Sequence, residues 1–166
     1  SRMGQYTGLK VLVVDDEENI RHMLTLVLKK AGYVVRAVDN AQTGLDALMA
    51  EPWDMVLSDI RMPGMTGHDL LDALRERGME ATVIMMSAYG DRDTALEAIK
   101  RGAYDYISKP FKKDEVLLTL RKAEERERLR RENVRLREET RRSFSFDNII
   151  ARSASMQAVF RTVRKV

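Results

Sequence analysis

The sequence has no cysteine, no apolar run approaching the ~18 residues of a membrane span and no leader with a secretory apolar region. Nothing in it supports disulfides, membrane insertion or secretion, and a cytoplasmic setting is expected. It also lacks a charge bias shared along its length, because the net +3 of its 166 residues conceals a segregation. Residues 1–120 carry 15 Lys/Arg against 19 Asp/Glu, residues 121–142 carry 10 against 6, and residues 143–166 carry 4 against 1. The basic balance belongs to the tail, and it gives little support to a nucleic-acid-binding globular domain.

What is present is an alternation of short apolar runs with helical patterns. KVLVV (10–14), VVRAV (34–38), MVLS (55–58), TVIMMS (82–87) and YDYIS (104–108) read as five buried strands. Ile20, Met23, Leu24, Val27, Leu28 and Ala31 fall on one helical face, and residues 41–50, 67–77 and 92–101 read likewise, with Gly32, Gly78 and Gly102 as stop signals. Strands alternating with helices predict an α/β fold: a five-stranded parallel, doubly wound, flavodoxin-like sheet, followed by a long helical segment.

Ligands of such sheets bind beyond the carboxyl ends of the strands. Those ends read Asp15-Asp16, Asp59, Ser87 and Lys109-Pro110, while Asp39-Asn40 after the second strand reads as a helix cap. Four acids, Asp15 to Glu18, are crowded after the first strand. Two carboxylates ~4 to 5 Å apart repel by about 3 to 4 kcal/mol at an effective dielectric near 20, so a cation or a helix terminus must offset them. Taken singly, these residues also fit a helix N-terminus or ordinary turns. Together they fit phosphoryl transfer to a carboxylate. Asp15, Asp16 and Asp59 offer hard oxygen ligands for Mg²⁺, Asp59 is a competent nucleophile, Lys109 offers a point charge and Ser87 a hydroxyl for the phosphoryl oxygens. Glu17 and Glu18 are assigned to the helix terminus. His22 and His68 lack metal-ligand partners in sequence and read as surface residues, and Met62, Met65, Met85 and Met86 read as packing.

With VVDDEE, LSDIRMPGMTG, MMSAYG and YDYISKPF in order, residues 8–120 resemble the receiver domain of two-component response regulators. The resemblance implies that Asp59 accepts phosphate from a sensor histidine kinase. It implies that Asp15, Asp16 and Asp59 hold Mg²⁺ with the backbone carbonyl of Arg61, and that Ser87 and Lys109 sense the phosphoryl group. It also implies a cis Lys109-Pro110 bond, Tyr106 as the switch aromatic, and Arg61 and Tyr89 as modulators of acyl-phosphate hydrolysis.

Beyond Pro110 a helix begins in which Val116, Leu117 and Leu120 can cover the sheet. From Arg121 to Arg142 there is no Pro or Gly and 16 of 22 residues are charged. Leu129 at d, Asn133 at a and Leu136 at d suit a parallel two-stranded coiled coil with complementary Glu125–Arg130 and Glu132–Arg137 pairs across it, although Lys122 and Arg126 interrupt the seam. Arginines interleaved with glutamates differ from the basic block of a DNA-binding zipper, so no direct DNA contact is expected. In residues 143–166, Ser155 reads as a helix cap, with Met156, Val159, Phe160 and Val163 as an amphipathic stripe. That segment resembles the opening of the AAA+ domain in NtrC-like, sigma-54-dependent activators, with Ala151 where that pattern has Gly. The phosphate loop G-x-x-x-x-G-K-[ST] is absent from the sequence, so no ATPase activity is expected of this chain.

The expected organisation is therefore a receiver at 8–120, a coiled-coil linker at 121–142 and the start of an AAA+ domain at 143–166. The expected partners are a kinase, a second copy through the linker and a receiver face, and, in a full-length regulator, an AAA+ domain acting on sigma-54 RNA polymerase. Two alternatives are a single-domain receiver that acts by docking and an Mg²⁺-dependent aspartyl phosphatase.

Overall fold

The computed structural model of the chain describes residues 8–165, with side chains described as far as Ser153. Five strands, β1 (Lys10–Val14), β2 (Val34–Val38), β3 (Met55–Asp59), β4 (Thr82–Ser87) and β5 (Asp105–Ser108), alternate with α1 (Glu18–Lys30), α2 (Ala41–Ala50), α3 (Gly67–Glu76), α4 (Arg92–Lys100) and α5 (Lys113–Lys165). The sheet is wholly parallel in the order β2-β1-β3-β4-β5. The strand order reverses between β1 and β3, which places a crevice at their carboxyl ends.

Strand alternation assigns side chains to two cores. Leu12, Val14, Val56, Val83 and Met85 join Leu45, Leu48, Leu70 and Leu74 of α2 and α3 on one face. Val11, Val13, Met55, Leu57, Ile84 and Met86 join Leu24 and Leu28 of α1 and Val116, Leu120 and Ala123 of α5 on the other. Helices cover both faces, so the central strands need apolar residues at every position, and β1, β3 and β4 have the continuous runs that this demands. Met62, Met85 and Met86 are buried, as the packing reading expected.

Local sequence sets the helix starts. Asn40 accepts from the Thr43 backbone N–H at 2.8 Å and caps α2. Thr66 and Asp69 form a reciprocal capping box at α3. Glu17 and Glu18 stand at the start of α1, as expected: Glu17 occupies the cap position without a side-chain capping bond, and Glu18 lies in the first helical turn. The early helices fall close to their predicted ranges.

α5 departs most from the sequence reading. Its described residues continue through 143–153 as one helix where a change of character was expected, because no Pro or Gly interrupts them. Because α5 runs on to Lys165, no helix begins at the expected cap Ser155, and the side chains of the stripe Met156, Val159, Phe160 and Val163 lie outside those described. Contacts divide the chain into two compact units at Glu124/Glu125. The α5 segment of the first unit is anchored past residue 120, since Ala123 is buried and the Tyr33 hydroxyl donates to Glu124 Oε2 at 3.2 Å. In the second unit, Glu125 pairs with Arg128 and Glu127 with Arg130 along the helix, and Leu129, Val134 and Leu136 are exposed.

One glycine is set by close approach. A Cβ on Gly67 would lie 2.5 Å from the Asp59 carbonyl oxygen and 2.8 Å from Ile60 Cα, both backbone atoms that cannot swing aside. Gly67 N–H also donates to Ile60 O at 2.8 Å, closing the loop that follows β3. We expect Gly67→Ala to destabilise the fold by about 1 to 3 kcal/mol, read as a lower urea midpoint; an unchanged midpoint would show that the loop yields freely.

Candidate functional site

The carboxyl ends of β1, β3, β4 and β5 converge on one acidic cleft. Asp15 follows β1 directly and is fully buried. Its N–H donates to Val38 O at 3.1 Å, its carbonyl accepts Arg21 Nη1 at 2.9 Å, and its Oδ1 accepts Glu17 N–H at 2.8 Å. Asp59 is the last residue of β3, in register with Met86, and Ser87 ends β4 in register with Ser108. Both are buried. The Lys109 N–H donates to Ser87 O at 2.7 Å, and the Lys109-Pro110 bond is cis, as the receiver resemblance implied.

The Lys109 side chain joins the strand ends. Its Nζ donates to Asp15 Oδ2 at 2.9 Å and to Asp59 Oδ2 at 3.2 Å, with Glu17 Oε1 at 3.9 Å. Burial pushes the Asp59 carboxyl above its ordinary range; the Lys109 ammonium opposes this without cancelling it, and Asp15 and Asp16 raise it further. Burial works against the Lys109 charge, yet the hydrogen bond and charge of Asp15 and the charge of Asp59 outweigh it, so the ammonium is held above its usual range.

Carboxylate oxygens of Asp15, Asp16 and Glu17 lie within 4.8 Å of one another. The adjoining cleft of about 190 Å³ is lined by Asp16, Glu17, Asp59, Arg61, Ser87, Asp91 and Lys109, among others. Asp15, Asp16, Glu17 and Asp59 outnumber the Lys109 ammonium set among them, and these hard oxygen donors around a small cleft fit a divalent cation of the magnesium type. Sequence reasoning placed Asp15, Asp16, Asp59, Ser87, Lys109 and Arg61 at this edge, and they are together. It assigned Glu17 to the helix terminus, where it stands in the cap position of α1, and its Oε1 also comes within 3.9 Å of Lys109 Nζ.

Asp91 was missed. Its Oδ2 accepts Arg61 Nε at 2.8 Å, and its Oδ1 accepts the Thr94 hydroxyl at 2.6 Å. In the sequence it is one more acid before a helix, and only the fold sets it opposite Arg61. Tyr106 lies away from the cleft lining, half-buried against the core that contains Met85. Tyr89 is exposed, as is His22; His68 differs from its surface reading, being half-buried with Nε2 3.0 Å from Thr94 O. Leu129, Asn133 and Leu136 belong to the second compact unit, are exposed and take no part in the cleft.

Residues 11–121 match the family described as the response regulator receiver domain. The chain belongs to that family. It is 33% identical over 157 residues to the regulatory protein AtoC of Escherichia coli, covering 95% of this chain and 34% of that protein. It is 37% identical over 158 residues to the DNA-binding transcriptional regulator NtrC of Escherichia coli, covering 94% of this chain and 32% of that protein. A crystal structure of NtrX from Brucella abortus superposes with a TM-score of 0.74 at 37% identity, over 78% of this chain and 30% of that one. The chain spans about a third of the length of these relatives. Among the described residues no helix is long and apolar enough to cross a membrane.

The raised Asp59 carboxyl has a consequence for stability. It stays protonated in the native state at pH values where the unfolded chain, near 3.8, has lost its proton. Its ionisation therefore destabilises the native state, with the penalty absent below the unfolded value, growing as pH rises from there to the native value and constant above it. In divalent-free buffer, Asp59→Asn is expected to melt above wild type at pH 7, with the gap closing below about pH 4. A gap that persists undiminished at low pH would assign it to another cause.

Proposed function

We propose that Asp59 is the phosphoacceptor of a two-component pathway and receives its phosphoryl group from a sensor histidine kinase. The observation that carries this reading is the Lys109 ammonium bridging Asp15 Oδ2 at 2.9 Å and Asp59 Oδ2 at 3.2 Å at the edge of an acidic cleft. An Asp59 oxygen forms the new O–P bond as the N–P bond of phosphohistidine breaks and its electron pair returns to the imidazole. Phosphoryl transfer needs placement and charge neutralisation more than covalent assistance, and this chain supplies both. Asp59 is held at a strand end on the cleft lining, while Lys109, already bonded to its Oδ2, can accompany the incoming group.

Asp15, Asp16 and Asp59, with the Arg61 backbone carbonyl, would hold Mg²⁺, which when bound offsets the charge of the carboxylates and the phosphoryl oxygens. The Ser87 hydroxyl donates to a phosphoryl oxygen once the loop after β4 closes. Tyr106 then turns inward, passing the change to the surface of α4, β5 and α5.

The tail gives the signal its outlet. Residues 8–120 form the receiver, 121–142 the linker, and 143–166 the opening of an AAA+ domain; alignments with relatives over 157 and 158 residues run past the receiver boundary and support a shared architecture. Leu129, Asn133 and Leu136 pair two copies as a coiled coil, with a receiver face adding to the contact. Phosphorylation then alters dimer packing to govern, in a cytoplasmic full-length regulator, an ATPase that acts on sigma-54 RNA polymerase. This fragment itself has no DNA contact or ATPase role.

Incubation with acetyl phosphate and Mg²⁺, read by intact mass, should add one phosphoryl group to wild type and none to Asp59→Asn or to chelator-treated protein; equal labelling of Asp59→Asn would remove Asp59 from the mechanism. Truncation after Glu124 should shift the chain toward monomer in sedimentation, and undiminished dimerisation would move the interface onto the receiver.

A further inference from the structure

The helices that follow β1 to β4 meet the cleft face with a polar residue in the cap position, and these residues differ in use. Asn40 and Thr66 cap α2 and α3 through their side chains. Asp91 occupies the equivalent position on α4, where aspartate is among the best capping residues, but its carboxylate is shared between the first turn of that helix and Arg61. The carboxylate is turned toward the cleft. Arg61 Nε and Nη2 both lie at 2.8 Å from Asp91 Oδ2, and the Thr94 hydroxyl takes Oδ1 at 2.6 Å. The hydroxyl of Thr94, together with Arg61, holds the Asp91 carboxyl below its ordinary range.

This pair forms part of the cleft wall, since Arg61 and Asp91 both line the space that contains Asp59. It also ties two loops together, that after β3 and that after β4. α4 has a second tie close by, because His68 of α3 contacts Thr94 O at 3.0 Å. The Arg61 side chain is 71% exposed and that of Asp91 20% exposed, so the contact is weakly held and open to competition. A guanidinium fork matches phosphoryl oxygens at least as well as one carboxylate oxygen.

We propose that Asp91 is a positioning residue that parks Arg61 across the cleft, and that a phosphoryl group on Asp59 takes Arg61 from Asp91 and leaves that carboxylate to the first turn of α4 alone. The exchange rests on the reading of Asp59 as the acceptor. It couples occupancy of the cleft to the first turn of α4 by a route that uses neither Ser87 nor Tyr106. The two ends are linked thermodynamically: whatever weakens Asp91 as a competitor strengthens Arg61 as a phosphoryl ligand by the same factor.

The test uses beryllofluoride with Mg²⁺ as the phosphoryl mimic on the whole chain. Asp91→Ala and Asp91→Asn should each bind it about twofold to fivefold more tightly than wild type, the range of an exposed ion pair. Both variants are needed because Asn keeps a capping side chain, so tightening shared by the two reports the lost pair and not a damaged helix start. In the Arg61→Gln background the gain from either Asp91 substitution should vanish. Amide exchange at Asp93 and Thr94 supplies the second readout. In wild type it should slow when the mimic binds, in Arg61→Gln it should be slow already, and in Asp91→Ala it should not respond. Unchanged affinity in both Asp91 variants, or an equal gain with and without Arg61, would overturn the exchange. Binding of the mimic to Asp59→Asn as tightly as to wild type would instead remove the acceptor reading, and the exchange with it.

Discussion

The arrangement of this protein depends on one ammonium group set between two buried carboxylates. Lys109 follows β5, Asp15 follows β1 and Asp59 ends β3, and only the order β2-β1-β3-β4-β5 brings these three strand ends to one crevice. A buried carboxylate without a partner would take up a proton. Two side by side would repel by several kcal/mol at low dielectric. The lysine makes their proximity tolerable while leaving the acidic excess of Asp16 and Glu17 at the rim, so the site retains a demand for further positive charge.

That demand explains how the surroundings are built. The sheet holds the carboxylates rigidly through apolar strands packed on both faces. The loop after β3 is fixed by the approach of Gly67 to the Asp59 and Ile60 backbone, which leaves no room for a Cβ. The loop after β4 is held more lightly, by the exposed contact of Asp91 with Arg61. A rigidly held carboxylate beside a more loosely held loop would suit the proposed phosphoacceptor role, because the strands preserve the geometry while the loop can exchange partners.

Much of this is legible in the sequence, for physical reasons that also mark the limit. Asp15, Asp59, Ser87 and Lys109 could be placed because parallel strands announce themselves as apolar runs and their ends fall in one plane. The cap at Asn40 could be placed because capping is a local matter of a few residues. Contacts between elements distant in sequence could not. Nothing local shows that Asp91 pairs with Arg61, that Glu17 at the start of α1 comes within 3.9 Å of Lys109, or that His68 meets Thr94 across two helices. The extension of the first unit to Ala123 and Glu124 was missed for the same reason, since Tyr33 lies 91 positions from its partner. The continuity of α5 past residue 143 follows from the absence of a breaker, a signal that the change in composition there obscured.

The central claim is that Asp15, Asp16 and Asp59 act as one cation-binding unit with Lys109 as its internal counter-charge. Titration of the isotope-labelled chain with Mg²⁺, followed by amide and carboxyl resonances, tests it most directly. The account predicts saturable one-to-one binding with the largest shifts at residues 15–17, 59–61, 87 and 109, and loss of that saturation in Asp15→Asn. Shifts spread evenly over the acidic surface, or equal affinity in Asp15→Asn, would contradict it.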